Sequence, residues 1–553
     1  METDVLIVGA GPVGLALAVE LGLQGHRCLV VERNDRVGHA PRAKTTNVRS
    51  RELFRRWGIA DRLAAASPFG VDYPANVVFA TRLAGHEIAR FSNAFHATPA
   101  RDARFSEHAQ WIPQYKVEEV LRQRALEFPG TGLRFRTEIG AFEETDGSVR
   151  AEIKNLDSGE TSVVNARFLV GANGARSSVR QGLGIRMEGI SPLSHHYNII
   201  FRSPGLAERH ALGPALMYWL INPEVPAVLS PLDKGDRWAF ACERLADAAA
   251  DPAQLIRTAL GIDDLDIEIL SRDEWVAHQL IATDYRRGNV FLAGDACHLH
   301  PPFGGYGMNM GIGDAADLGW KLSAVLSGWG GPALLDSYEI ERRQMHRRVV
   351  DEAVLNHAAS SRKFALDAIE SAGPEGVAAR AEAAAGILAG KRREFDSLGV
   401  VLGSCYDASP VLVGDGTPCP VPDSIRFEPS ARPGCLAPHA WLAEGTGDGA
   451  SLYDRFEHCG FTLLATRTGQ ADAAGTVQQA AQRQGIPLAV LVPDAPGLAE
   501  LYRADYALIR PDQFVAWRGD RLQDACDALA TVVGKAGAQV SPPTTSTLIP
   551  ETT

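Results

Sequence analysis

The sequence is poor in cysteine: 8 in 553 residues, at 28, 242, 297, 405, 419, 435, 459 and 526, with no C-x-x-C pair. That pattern excludes a disulfide scaffold and withholds the ligands of a zinc ribbon and the pair of a dithiol redox centre. It also lacks an apolar run of the ~20 residues needed to span a bilayer. The longest stretch, Val5 to Val19, is broken by Gly9, Gly11 and Gly14, and Glu2 and Asp4 stand where a signal peptide carries positive charge. Excess positive charge is missing too. Lys and Arg number 55 against 67 Asp and Glu, a formal net charge of −12. Such a field repels polyanions and gives no general footing on nucleic acid or acidic lipid. These absences point to a cytoplasmic protein with reduced thiols, no membrane and no nucleic-acid partner.

What is present is ordinary globular composition, 45% hydrophobic and 22% charged, together with 54 glycines that need a location. At roughly 100–200 residues per domain the length predicts about three to four domains. The first location is near the start. Asp4 to Val8 is a short apolar run rich in β-branched residues, followed by Gly9-Ala10-Gly11-Pro12-Val13-Gly14 and by helically spaced apolar residues to Leu23. Strand, tight turn and helix follow in that order. Gly9 serves the turn, Gly11 lets the backbone approach a pyrophosphate, and Gly14 packs the helix on the strand. Phosphates then lie at the helix N-terminus, where free N–H groups favour negative charge. A second strand, Cys28 to Val31, ends at Glu32, placed to accept from ribose hydroxyls. The reading is dinucleotide binding; a purely structural glycine turn is the alternative.

Two further segments decide which dinucleotide. Phe168-Leu169-Val170 runs into GANGARSSVR, residues 171–180, and Asn289 to Ala293 runs into Gly294-Asp295 and HLHPPFGGYGMN, residues 298–309. At these residues the chain resembles the single-component FAD-dependent aromatic hydroxylases of the para-hydroxybenzoate hydroxylase fold. Its HLHPPF segment and C-terminal extension are most similar to the phenol and dichlorophenol hydroxylases and the aromatic polyketide hydroxylases. The resemblance implies an α/β protein: a Rossmann-like FAD-binding domain interleaved with an α+β substrate domain, plus a C-terminal thioredoxin-like domain.

The resemblance assigns FAD to Gly9, Gly11, Pro12, Val13, Gly14, Glu32, Arg33, Arg42, Gln114, Asp295, Pro302, Gly305, Gly307, Met308 and Asn309. Asp295 would contact the ribityl chain, Pro302 would lie beside flavin and substrate, and 307–309 would meet the pyrimidine edge. Arg42 and Gln114 match positions that hold phosphates and ribityl. Asn173 departs from the family's Asp, which removes a charge that could orient an arginine. No complete second G-x-G-x-x-G is visible, so NAD(P)H is expected as a transient visitor.

Other residues attract bland readings. His298 and His300 lack a supporting ligand cluster in sequence and read as loop hydrogen bonders, with no metal. Trp111-Ile112-Pro113 imitates the end of a flavin-halogenase motif, but positions 108 and 110 are His and Gln. The helical cluster Arg342, Arg343, His346, Arg347, Arg348 reads as a solvated, salt-bridged face.

The flavin motifs are far apart in sequence, so the FAD-binding domain is expected to be discontinuous, 1–73, 105–186 and 271–400. Residues 74–104 and 187–270 form the substrate-binding sheet, 401–535 the thioredoxin-like domain, and 536–553 a disordered tail. Tyr218 and Trp219, in the strand-like run Ala215 to Ile221, are the substrate-contact candidates. Residues 360–396 read as an Ala/Glu-rich helix. The resemblance implies an NAD(P)H- and FAD-dependent monooxygenase that hydroxylates a small phenolic or polyketide-type ring with O₂ through a C4a-hydroperoxyflavin. A flavoprotein oxidase or dehydrogenase, and a Baeyer–Villiger or epoxidising variant, stay open. The C-terminal unit would be structural or oligomeric, with a homo-oligomer implied.

Overall fold

The computed structural model describes residues 1–35, 43–244, 251–359, 361–442 and 450–535. Arg42 and the tail 536–553 lie outside the described residues. Among those described, no helix is long and apolar enough to cross a membrane.

Glu2–Val8 forms the first strand, Pro12–Leu23 the first helix and Cys28–Val31 the second strand. Val5, Leu6 and Ile7 are fully buried, because a parallel strand covered on both faces must be apolar throughout. The parallel strands lie in the spatial order Val290–Leu292, Thr161–Gly171, Glu2–Val8, Cys28–Val31, Thr131–Arg134. The chain leaves Glu2–Val8 toward one side and returns on the other, so the strand order reverses there. Open α/β sheets bind ligands at the carboxyl ends of such a reversal. Gly9 lies at that point with φ +112°, and a Cβ on it would stand 2.5 Å from the Ala172 carbonyl oxygen.

A second sheet of eight strands runs His298–Leu299, Glu268–Ala282, Met187–Arg202, Arg237–Glu243, Ala227–Pro231, Met217–Leu220, Val77–Ala80, Glu87–Phe91. The boundary expected at residue 270 falls inside Glu268–Ala282, which pairs with Met187–Arg202 along most of its length. The second sheet therefore extends further along the chain than the sequence suggested. Segment 290–299 crosses between the sheets: Val290–Leu292 pairs in the first, and His298 and Leu299 pair in the second. Residues 293–297 bridge them.

The third sheet has the order Leu488–Leu491, Phe461–Ala465, Tyr506–Ile509, Val515–Gly519, with the first pair parallel and the others antiparallel. Helices Ala471–Arg483 and Leu522–Val532 pack on it.

Two buried polar layers join these units along the helix Gly307–Leu326. In the first, the fully buried Asp314 accepts from Gly294 N (2.9 Å), His298 Nε2 (3.1 Å), Arg342 Nε (2.7 Å) and His346 Nε2 (2.8 Å). Arg342 also donates to Met310 O and to the Tyr406 hydroxyl. In the second, Lys321 bonds Asp317 and Glu341, while Arg510 bonds Asp317, Glu341 and Asp512. Three carboxylates there meet two cations. Burial, reinforced by Glu341, pushes Asp317 well up, against the pull of Lys321 and Arg510.

This corrects the solvated-face reading of the basic cluster. Arg342 and His346 are 2% and 0% exposed, because their face of Pro332–Ala358 packs on the carboxylates of Gly307–Leu326. Arg343 pairs with Glu339 nearer the surface, and Arg348 donates to the Gly399 and Gly403 carbonyls.

His346 is held at about 3, chiefly by burial, against the pull of Asp314. Its neutral tautomer fits the geometry: Nε2–H donates to Asp314 and Nδ1 accepts from the Tyr285 hydroxyl at 2.8 Å. Between its ordinary 6.5 and about 3 the unfolded chain binds a proton that the folded chain refuses. The stability from this group is whole above that window and is lost as pH falls through it. His346→Gln is expected to lower Tm at neutral pH and to flatten the fall of Tm between about pH 6.5 and 4. Equal slopes in thermal scans of both proteins would contradict this.

Candidate FAD and substrate site

Three segments distant in sequence meet through Val13. Its side chain fills the space above Gly294 and Gly311; a Cβ on those glycines would stand 2.8 and 2.4 Å from it. The first helix N-terminus, the strand end at Gly294-Asp295 and the helix Gly307–Leu326 are thereby packed together. Gly14 is needed beneath them, since a Cβ there would lie 2.0 Å from the Gly9 carbonyl oxygen. Gly11 differs: nothing stands within 4 Å of a Cβ built on it. The backbone at Gly11 faces open space.

Both helices present bare N-termini. Pro12–Leu23 has Gly11 as its cap with no side-chain bond, and neither helix carries an acid in its first turn. Their unpaired N–H groups and dipoles are left to attract negative charge. Glu32, at the end of the second strand, accepts from Ala10 N at 3.0 Å and from the Asn34 backbone N and side-chain Nδ2. Pro12 is buried at the start of the helix, and Arg33 is exposed beside Glu32.

The loop before the second helix is shaped by Gly304 and Gly305, with φ of +92° and +68°. Asn309 holds it: Nδ2 donates to Thr45 O (2.9 Å) and Gly305 O (2.6 Å), and Oδ1 accepts from Asn47 N (2.9 Å). Gly307 lies beside the buried His300 imidazole, which burial holds at about 4. Met308 is packed in the core, and Pro302 is exposed. Gln114, at the start of Gln114–Leu126, exchanges bonds with Ala43, immediately after Arg42. Asp295 sits in a short 3₁₀ turn, Gly294–Ala296. The site thus draws together Gly9 to Gly14, Glu32, Asp295 and residues 304–309.

Residues 2–353 match the family model of an FAD-binding domain, and residues 430–536 that of the C-terminal part of aromatic-ring hydroxylases. The chain belongs to the FAD-dependent aromatic-ring hydroxylases. It is 34% identical to the tetracenomycin B2 monooxygenase-dioxygenase of Streptomyces olivaceus, over 96% of this chain and 97% of that one. The solved structure of RebC with bound 7-carboxy-K252c aligns with TM-score 0.89 and 37% identity, covering 97% of this chain and 100% of RebC. The flavin-dependent monooxygenase PieE, solved with FAD and substrate, aligns with TM-score 0.87 and 31% identity, covering 97% and 100%.

The hydroxylase's own residues fit FAD. The open space at Gly11 suits a pyrophosphate, and the PRAKTTN segment holds a second cation beside Arg42. Lys44 has its ammonium lowered to about 8 by burial alone, and no carboxylate is paired with it among the described residues. Lys44 is half-buried, and a partly desolvated cation without a counter-ion gains from an anion that completes it. Lys44 stands in PRAKTTN, two residues beyond Arg42, and the resemblance drew attention to the arginine only.

Asn173 bonds Ser177 and Ser178 and so shapes the start of the short helix Ser178–Gly182. Arg180 donates instead to the Ala296 and Ala175 carbonyls. Backbone oxygens do the orienting that the missing carboxylate cannot.

The two substrate candidates part company. Successive strand residues face opposite sides of the sheet. Tyr218 packs with Phe240 and Ile199 in a separate core, and its hydroxyl donates to Gly213 O at 2.6 Å. It is a core residue and is withdrawn as a contact. Trp219 lies on the other face, stacked on Phe79 at 5.4 Å and 5.9 Å from Phe303, the residue after Pro302. Lys391, from the helix Pro374–Phe395, was not foreseen. It is fully buried, 4.3 Å from the Trp219 ring and 5.2 Å from that of Phe303.

His298, Asp314, His346 and Cys297 lie close enough to hold a metal ion. The four donors to Asp314 fill its lone pairs, and one of them is the Arg342 guanidinium. The cluster is a hydrogen-bonded knot.

Lys44→Met is expected to weaken FAD binding about tenfold to hundredfold, the worth of one charge-assisted hydrogen bond. Titration of the apoprotein followed by flavin fluorescence measures it, and unchanged affinity would contradict the assignment.

Proposed function

We propose that this hydroxylase adds oxygen to a phenolic, polyketide-type aromatic ring, with NAD(P)H as transient reductant and O₂ as co-substrate, in the cytoplasm. The observation that carries the substrate class is the aromatic cluster Phe79, Trp219, Phe303 and Phe395 behind the loop 302–309, of which Phe303 alone reaches the surface of the cluster. The relative named for tetracenomycin B2, and RebC solved with bound 7-carboxy-K252c, support the same class.

Gly9 to Gly14 and Glu32 would hold the adenosine and pyrophosphate, with Lys44 and Arg42 as cations. Gln114, Asp295 and the 305–309 backbone would hold ribityl and ring. FAD, when bound, supplies the activation of O₂ and the delivery of one oxygen atom. The chain's part is to bind, orient and exclude water. A flat ring would rest against Phe303, and the apolar cluster behind it keeps solvent from the reacting face. Lys391 donates to Asn356 O (3.1 Å) and Glu394 Oε2 (2.8 Å), which leaves one of its three N–H groups. Directed at a phenolic oxygen, that donor favours the phenolate and so the electron-rich ring that accepts oxygen.

Strand membership supports a division into an FAD-binding unit, 1–73, 105–186 and most of 271–400, interleaved with a substrate sheet. The C-terminal βαβαββα order with its parallel pair at one edge of the sheet supports a thioredoxin-like unit.

The test is NAD(P)H consumption and product mass with a panel of mono- and polycyclic phenols. Stimulated consumption and one added oxygen atom on the ring are expected, with Lys391→Met lowering kcat about tenfold or more while retaining FAD. Oxidation without an added oxygen atom would establish an oxidase or dehydrogenase. Oxygen inserted next to a carbonyl would establish the Baeyer–Villiger variant.

A further inference from the structure

Three of the eight cysteines converge in the loop-rich stretch that enters the C-terminal unit. Cys405 and Cys435 oppose each other in an isolated antiparallel bridge, and Tyr406 N donates to Gly434 O at 2.8 Å. Cys419 returns to the same place. Its sulfur lies 2.9 Å from that of Cys405, and Cys435 lies 3.0 Å away on the other side. These sulfurs are closer than non-bonded packing favours and about 1 Å beyond a bond. Cys405 and Cys419 are partly exposed and Cys435 is buried.

Arg432 completes the arrangement, donating to Cys405 Sγ at 3.1 Å and to Asp407 Oδ1 at 2.6 Å. A divalent cation would need those two acceptors, and the guanidinium already holds them. The same positive charge favours a thiolate. Cys435 is held below the ordinary thiol value, first by its contact with Cys405 and further by Arg432. Cys405, against the lowering contact with Cys419, is pushed up by Cys435 and burial, and Cys419 is pushed up by Cys405 and burial, so Cys435 is the thiolate of the three.

We propose that Cys405, Cys419 and Cys435 form a thiol–disulfide site, with Cys405 as the central sulfur that bonds either neighbour when a hydroperoxide oxidises the pair. A thiolate attacks the peroxide's distal oxygen, breaking the O–O bond; with hydrogen peroxide this yields a sulfenic acid and hydroxide. The second thiolate displaces the sulfenic hydroxyl, forming the S–S bond. The two sulfurs lose two electrons, the peroxide gains them, and two waters leave. The third thiol can then attack Cys405 and move the disulfide to itself without further oxidation. A small-molecule dithiol reverses the reaction.

Position gives the site a consequence. Tyr406, next to Cys405, stacks on Phe514 at 4.5 Å and accepts from Arg342 of the Asp314 knot. A disulfide at Cys405 closes a loop of the unfolded chain and restrains the segment that ties the C-terminal unit to the flavin helix.

The experiment treats the full-length FAD-loaded enzyme with stepwise hydrogen peroxide, alkylates remaining thiols and maps peptides by mass spectrometry. Cross-linked peptides joining residue 405 to 419 or 435, about 2 Da lighter than their reduced sum, are expected, with the other five cysteines alkylated. The oxidised protein should melt about 5 °C higher, reversed by dithiothreitol. Cys405→Ser should abolish both linkages. Should that variant fail to fold, Cys419→Ser is expected to leave only the 405–435 linkage. Absence of cross-links, linkage through other cysteines, or one equivalent of tightly bound zinc lost on Cys405→Ser would each overturn the proposal.

Discussion

A single buried carboxylate organises the core of this hydroxylase. Asp314 accepts four hydrogen bonds, one for each lone-pair position, from Gly294 in the turn that leaves the first sheet, His298 on the second, and Arg342 and His346 on the supporting helix. Burial by itself would raise its pKa; the hydrogen bonds from His346 and His298 and the charge of Arg342 outweigh it and hold Asp314 well below the carboxylate range. An ion so deep is tolerated only when every partner is in place, and removing one partner of such a pair typically costs about 3–5 kcal/mol. The knot therefore demands the crossing of segment 290–299 between the sheets. One turn along the helix, the Asp317, Lys321, Glu341, Arg510 layer extends the same demand to the C-terminal unit.

The position of these acids also shapes the chemistry. They lie on the back of Gly307–Leu326 from its third turn onward, and its first turn carries none. The helix is gripped from behind while its N-terminal N–H groups stay uncommitted to any side-chain cap. Asn309 sets the preceding loop, and Val13 sets the distance to the first helix. The loop that leads into Gly307–Leu326 also carries Phe303, which packs against the aromatic cluster of the second sheet.

Much of this was legible in the chain because local rules coincide there with global ones. Asp4 to Glu32 reads as strand, glycine turn, helix, strand, acid, and folds so, since every residue type is dictated by its own backbone and burial. The glycines of 294–311 were equally readable as a loop and helix start, though their partner Val13 was not. Helical spacing of Arg342 and His346 suggested a solvated face because periodicity cannot tell which stripe meets a carboxylate from elsewhere. Tyr218 and Trp219 are neighbours in sequence and opposites in the pleat, so one hydrophobic run hid two environments. Lys44 and Lys391 carry no local motif; only their surroundings in the fold, a half-buried ammonium without a carboxylate partner among the described residues and a buried one beside two rings, distinguish them. The meeting of Cys405, Cys419 and Cys435 escapes any C-x-x-C search, because the loop rather than a short spacing brings them together.

The account rests on the claim that the Asp314 knot holds the flavin-facing segments in place from behind. The direct measurement is the FAD dissociation constant of Asp314→Asn, which keeps the side chain's shape but turns one acceptor into a donor facing donors. Asp314 belongs to the knot, so any effect on FAD must travel through Gly294 and the helix. At a temperature where the variant is folded by circular dichroism, affinity is expected to fall about tenfold or more. Wild-type affinity in a folded Asp314→Asn protein would contradict the account.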